Sequence, residues 1–145
     1  MPGAPIARIR VVVVDHDGGE ATLAYLRSLL ATEWPVPDLD LVLVDNASSA
    51  PVTAAVRDEM PAVRIVESPL NLGFGGGCNL GMGDLAEVDA VALVNADATV
   101  QPDWLAPLAA ALDADAALGA AQPKILDRKS TRLNSSHRCI SYAVF

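Results

Sequence analysis

The sequence has 145 residues, 52% of them hydrophobic, with 18 Asp and Glu against 10 Lys and Arg and a net charge of −8. That is about one domain with ample material for an apolar core, which excludes an intrinsically disordered chain. The acidic balance speaks against nucleic acid as a partner, because such proteins carry a basic stripe, and no apolar stretch reaches the roughly 18 residues of a spanning helix.

The chain opens on Met1-Pro2-Gly3-Ala4-Pro5, which lacks the apolar centre of a signal peptide. Residues 9–14 form a continuous Val-rich run, suited to a strand buried on both faces. Gly18-Gly19 breaks it, and Leu23, Leu26, Leu29 and Leu30 then recur at helical spacing, so residues 20–31 read as an amphipathic helix that Trp34-Pro35-Val36-Pro37 ends. Residues 39–44 are the second strand. Ser48, Ser49 and Pro51 supply cap and first-turn signals for a helix through about Met60. A third short strand spans 63–66, and residues 68–77 form a turn-rich loop ahead of a helix that starts at Gly77 or Cys78. Residues 90–94 are the fourth strand. Pro102 opens a helix in which Leu105, Leu108 and Leu112 share a face, and residues 120–126 are expected as a fifth strand. Strands alternating with helices imply parallel pairing through right-handed crossovers, an open α/β sheet of Rossmann-like type.

Three of the strands end in acids or amides: Asp15-His16-Asp17, Asp45-Asn46-Ala47-Ser48-Ser49 and Asn95-Ala96-Asp97. In an open α/β sheet the ligand lies across such tips. Asp45 can accept hydrogen bonds from a ribose or base, or it can cap the next helix. Asn95 and Asp97 offer two side-chain oxygens of the kind that Mg²⁺ or Mn²⁺ prefers, which binds through one or two carboxylates plus substrate phosphates; a turn ahead of Pro102-Asp103 is the other reading of that pair. The run Asn71-Leu72-Gly73-Phe74-Gly75-Gly76-Gly77-Cys78-Asn79-Leu80-Gly81 allows close backbone approach to an anion at a helix start. It lacks the third glycine of a dinucleotide fingerprint and the Gly-Lys-Ser/Thr of a P-loop, and by itself it serves equally as a flexible turn. Cys78 and Cys139 fit a reducing compartment and no disulfide framework. Cys78 reads as a small buried hydrophobe, and Trp34 and Trp104 read as packing residues beside prolines.

Taken in order, four motifs resemble the family 2 glycosyltransferases, inverting enzymes of the GT-A type, over about residues 8–126. They are Val11-Val12-Val13-Val14-Asp15-His16-Asp17-Gly18-Gly19, Val44-Asp45-Asn46-Ala47-Ser48-Ser49, the glycine run from Asn71 to Gly81, and Leu93-Val94-Asn95-Ala96-Asp97-Ala98 leading to Pro102-Asp103-Trp104-Leu105. The set looks most like the rhamnosyltransferase-like branch that builds bacterial surface polysaccharide. The resemblance implies a nucleotide-sugar donor, dTDP- or UDP-linked, and a saccharide or lipid-linked acceptor. It implies that Val14, Asp15 and His16 hold the nucleobase, although the family usually has Asn-Tyr-Asn where this chain has Asp-His-Asp. Asp45 would bond the base or ribose, and Asn71, Gly73, Gly77 and Asn79 would border the donor. Asn95 and Asp97 occupy the D-x-D position, with Asp97 the better ligand for a divalent cation that offsets charge on the departing nucleoside diphosphate. An acceptor hydroxyl would attack the anomeric carbon with inversion, deprotonated by a carboxylate from a later acidic motif. Asp113 and Asp115 do not match that motif, so the chain is expected to be a truncated, donor-binding portion without its base, inactive alone.

The Asp15-x-Asp17-Gly18 pattern also resembles the nucleophile motif of haloacid-dehalogenase-type phosphatases, and a non-catalytic nucleotide-binding module is the third alternative. From Asp127 onward the composition changes: net charge is −11 before that residue and +3 from it to Phe145. Residues 127–145 resemble translated adapter read-through and are set apart from the 1–126 domain as a non-native tail; a native basic tail is the alternative. The expected compartment is the cytoplasm, with peripheral association at the inner membrane face left open.

Overall fold

The computed structural model describes residues 4–35, 38–124, 126–127, 130–133 and 142–144. Met1 to Gly3, Val36-Pro37, Ile125 and most of the basic tail, Cys139 included, lie outside these residues. The Val-rich run is strand β1, Ile9–Asp15, and it is followed by helix α1, Glu20–Leu30. Strand β2 is Leu39–Asn46, helix α2 Thr53–Glu59, strand β3 Arg64–Ser68, helix α3 Gly73–Met82, strand β4 Ala90–Asn95 and helix α4 Leu105–Ala114. Four short strands follow: β5 Ala120–Ala121, β6 Leu126–Asp127, β7 Ser130–Leu133 and β8 Tyr142–Val144.

Six strands form one sheet in the order β3-β2-β1-β4-β8-β5, and β6 pairs with β7 separately. The first four run parallel, with Asp15 opposite Asp45 and Val14 opposite Asn95. This is the expected mainly parallel α/β sheet. The far edge differs: the fifth strand is confined to Ala120–Ala121 and pairs antiparallel with β8, which itself lies antiparallel to β4.

Val11, Val12 and Val13 are each at most 1% exposed, and burial of each such side chain stabilises the fold by about 2 kcal/mol. They alternate between two cores, as successive strand residues must. Ile9, Val11 and Val13 join Tyr25, Leu26 and Leu29 of α1, Val56 of α2, and Leu105 and Ala109 of α4. Val12, Val42, Val44 and Val91 form the core of the opposite face. There α3 lies on the sheet through its glycines: a Cβ at Gly77 would meet Val14 Cγ1 at 2.6 Å, and one at Gly81 would collide with Val12 and Val44.

The helix therefore begins at Gly73 rather than at Gly77 or Cys78, and takes in the second half of the expected loop. Glycine is a poor helix former, but a face without side chains can rest directly on two strands, and that contact replaces intrinsic propensity. Helix α2 starts at Thr53 with no side-chain cap, and α4 starts at Leu105, after a turn through Pro102. The chain leaves β1 for β2 and β3 on one side, then returns to place β4 on the other. The gap between the tips of β1 and β4 is thus a topological switch point, where open α/β sheets bind ligands. Among the described residues, no helix is long and apolar enough to cross a membrane.

Candidate functional site

A cleft of about 450 Å³ opens at that switch point. Val14, Asp15 and His16 from the β1 tip line one side, Asn95, Ala96 and Asp97 from the β4 tip line the other, and Gly18 and Ala21 complete it. Five of the residues singled out in the sequence thus meet in one place: Val14, Asp15, His16, Asn95 and Asp97. Asp97 is exposed, Asn95 half-buried, and among the described residues no Lys or Arg lines the cleft.

Asp15 is 2% exposed, and its Oδ1 accepts from Gly18 N at 3.1 Å and from the buried Thr22 Oγ1 at 2.5 Å. Its carboxylate fastens the loop to the start of α1, where the helix dipole favours a negative charge. A Cβ at Gly18 would collide with both Thr22 and Asp15, so only glycine fits. Both hydrogen bonds fall on Oδ1 and hold the loop, which gives Asp15 a structural role that the phosphatase reading does not call for.

His16 is exposed, with Nδ1 3.0 Å from the carbonyl oxygen of Asn46. A carbonyl only accepts, so the proton is assigned to Nδ1. Its Nε2 lies 3.9 Å from Asp17 Oδ2. Asp17 has φ 55°, in the left-handed region, and braces two loops: its N–H donates to Ser48 Oγ at 2.9 Å, and its Oδ1 accepts from Ala50 N at 2.9 Å. The Ala50 N–H holds the Asp17 carboxyl below its ordinary range. Ala47, φ 62°, is the other non-glycine residue in that region among the described residues, and each costs about 1 kcal/mol of strain. The Ser48 expected as a helix cap is used in this cross-loop bracing instead.

Asp45 is 8% exposed at the β2 tip, and its Oδ1 accepts from Ser48 N at 3.2 Å. It neighbours the cleft without lining it. Asn71 and Gly73 form a separate exposed turn, Gly73 at φ 71°, tied by the Gly73 N–H to Asn71 Oδ1 at 2.9 Å. Gly77 is buried against Val14, and Asn79 is exposed on α3. Packing thus accounts for Gly77, and it reaches the cleft only through Val14. Asp113 accepts from Ile6 N at 3.0 Å, near the start of β1, at the opposite end of the sheet from the cleft. Burial pushes the Cys78 thiol up to about 11, which makes it an inert filler of the α3 contact.

Sequence reasoning missed Asn46. It is 2% exposed, and its amide joins the β2 tip to the Asn71–Gly73 turn. The signal was present: an amide at a strand end, one residue before a sharp change of backbone direction. Its neutral side chain beside Asp45 hid it from a search for acids.

Among the described residues, no group of three or more His, Cys, Asp and Glu side chains is placed to hold a metal by itself. Asp97 and Asn95 supply a carboxylate and an amide oxygen on one rim. That donor set fits a hard cation which keeps its waters and takes further ligands from phosphate; it does not fit a dedicated all-protein cage.

The sequence profile described as Glycosyl transferase family 2 matches residues 9–143. Among solved structures, a mannosyltransferase from Pyrobaculum calidifontis, PcManGT, in complex with GDP-Man and Mn2+, superposes with a TM-score of 0.72 at 24% identity over 88% of this chain and 39% of its own. S. aureus TarS 1-349 in complex with UDP-GlcNAc gives 0.64 at 22% identity over 74% of this chain and 31% of its own. The same protein in complex with UDP gives 0.62 at 21% identity, and this chain spans 32% of its length. No curated protein matches the sequence.

Proposed function

The chain belongs to glycosyl transferase family 2, and from that membership we propose that its β1–β4 cleft binds a nucleotide-sugar donor, dTDP- or UDP-linked, for inverting transfer to a saccharide or lipid-linked acceptor. The observation that carries this reading is the meeting of Asp15 and His16 with Asn95 and Asp97 across the switch point. A bound Mg²⁺ or Mn²⁺ supplies the positive charge that the donor diphosphate requires. Asp97 and Asn95 hold it on the β4 rim. His16, on the β1 rim, faces the nucleoside end, and Asp45 stands one strand further out toward the ribose or base. The solved complexes with UDP, UDP-GlcNAc and GDP-Man belong to proteins of similar fold and support the choice of ligand class. The rhamnosyltransferase-like branch, a role in surface polysaccharide, a cytoplasmic site of action at the inner membrane face, and the division into a 1–126 donor-binding portion and a tail are parts of the same proposal. So is the absence of turnover by this chain alone, since among the described residues no acid after Asp97 lines the cleft.

Calorimetric titration of the chain with UDP, dTDP and GDP, each with and without Mn²⁺, tests the reading. Saturable binding that is strengthened at least about tenfold, equivalent to 1.4 kcal/mol, by Mn²⁺ is the expected result. Equal binding with and without the ion removes the metal role, and no binding to any of the three sinks the proposal.

A further inference from the structure

The side chain of Asn46 makes three hydrogen bonds, all to one turn. Its Nδ2 donates to Asn71 Oδ1 at 3.1 Å and to the Gly73 carbonyl at 3.2 Å, and its Oδ1 accepts from Leu72 N at 2.9 Å. Its own carbonyl receives the His16 ring at 3.0 Å. One buried residue therefore fastens exposed groups from two different loops, the β3–α3 turn through its side-chain amide and the β1–α1 loop through its main-chain carbonyl.

As a stability device this arrangement gains little. Each hydrogen bond contributes only modestly once water's competing bonds are counted, while ordering the backbone of an exposed residue carries an entropic cost at least as large. Asn71, Leu72, Gly73 and His16 are all exposed, so holding them brings little apolar burial in return. The strained Ala47, at φ 62°, follows immediately and adds to the cost. What the clamp does supply is fixed geometry before a ligand arrives, which is how binding sites avoid ordering costs on association.

We infer that Asn46 is a positioning residue for the donor nucleotide: its carbonyl sets the His16 ring on the cleft rim and its side chain holds the Asn71–Gly73 turn behind that rim, on the nucleoside side, without touching the ligand. This rests on the nucleotide-sugar reading above and adds to it a residue that acts only through others. The metal rim at Asn95 and Asp97 belongs to β4 and lies outside this hydrogen-bonded unit, so the two halves of the ligand should respond differently.

The test uses Asn46→Asp, which keeps an acceptor for Leu72 N but sets a carboxylate oxygen against the oxygens of Asn71 and Gly73. Kd is measured by calorimetry for Mn²⁺ with a nucleoside diphosphate (UDP, dTDP or GDP, whichever the unaltered chain binds best) and for Mn²⁺ with inorganic pyrophosphate. The expected result is a loss of about tenfold for the nucleoside diphosphate, or 1.4 kcal/mol, with pyrophosphate binding changed less than about twofold. A general loosening of the fold would weaken both alike, and that outcome overturns the inference, as does unchanged binding of both. Asn71→Ala, at an exposed position, should show the same split at about threefold, or 0.7 kcal/mol, and decides the matter if Asn46→Asp does not fold. Failure of the unaltered chain to bind any nucleoside diphosphate overturns the donor reading and this inference with it. Binding by the unaltered chain that neither variant weakens removes only the positioning role.

Discussion

At the strand-start edge of the sheet, Asp40 takes hydrogen bonds from Arg10 at 2.6 Å and Arg64 at 3.1 Å, and Arg8 pairs with Glu87 at 2.9 Å. At the strand-end edge, Asp15, Asp17 and Asp45 take theirs from backbone N–H and hydroxyl groups, and among the described residues no arginine lines the cleft. The same residue type thus does two jobs on the same strands. At one end guanidinium groups neutralise Asp40 and Glu87, and the contacts hold the sheet together. Arg10 shows this fully, because it also donates to the carbonyls of Met82 and Asp84 that close α3. At the other end, dipoles orient the acids without cancelling their charge. A cleft walled by uncancelled negative charge raises the local concentration of cations, which is what a diphosphate ligand needs beside it.

The comparison breaks most sharply at Asp97. Replacing it with Ala should weaken Mn²⁺-dependent nucleotide binding about a hundredfold, near 2.8 kcal/mol, while thermal unfolding stays within about 0.5 kcal/mol of the unaltered protein. A large stability loss instead would make Asp97 a structural acid like Asp40. Arg10→Met is the converse case. Urea unfolding should show a loss of about 2 kcal/mol, because Asp40 and two helix-end carbonyls lose their donor, with nucleotide affinity unaltered. Thr22→Val tests the claim that Asp15 is structural although it lines the cleft. Loss of one hydrogen bond to a buried carboxylate, at fixed side-chain shape, should cost about 1 kcal/mol in the same assay; no change would free Asp15 for a ligand role.

The smallest effect is in pH. Burial works to raise the Asp40 carboxyl, but hydrogen bonds from Arg64 and Arg10 outweigh it and leave it below the ordinary value. Backbone N–H groups of Arg8 and Ala7 lower Asp89 in the same way. A carboxyl lowered in the folded state contributes stability that is complete above its unfolded value, about 3.9, and is lost as pH falls through the folded one. Urea midpoints should therefore hold steady above about pH 5 and fall on acidification below it. Arg10→Met should flatten part of that fall, since Asp40 loses one of the two partners that lower it and keeps Arg64.

Much of this molecule was readable from residues in order. The runs at β1, β2 and β4 are continuously apolar because both faces of an interior parallel strand are buried, and their acidic ends had to emerge at one edge. The glycine run misled because local rules read glycine as turn, whereas Gly77 and Gly81 form a flat helix face. Only their nearness to Val14, Val12 and Val44 reveals this. Asn46 went unnoticed for a related reason: an amide's role depends on what stands opposite it, and its partners lie 25 to 30 residues away. The far edge, with β8 between β4 and β5, depends on a pairing across more than 40 residues that no local pattern encodes.

The sequence alone determined the α/β class, the parallel strands and the acidic tips, because periodicity and strand ends are local properties of the chain. Tertiary structure decided which tips meet. The order β3-β2-β1-β4 brings the first and fourth strands together, so residues some 80 positions apart, Asp15 and Asp97, share one cleft. Tertiary structure also divided the acids into neutralised and free ones, since the partner of a charge is fixed by packing and not by sequence neighbours.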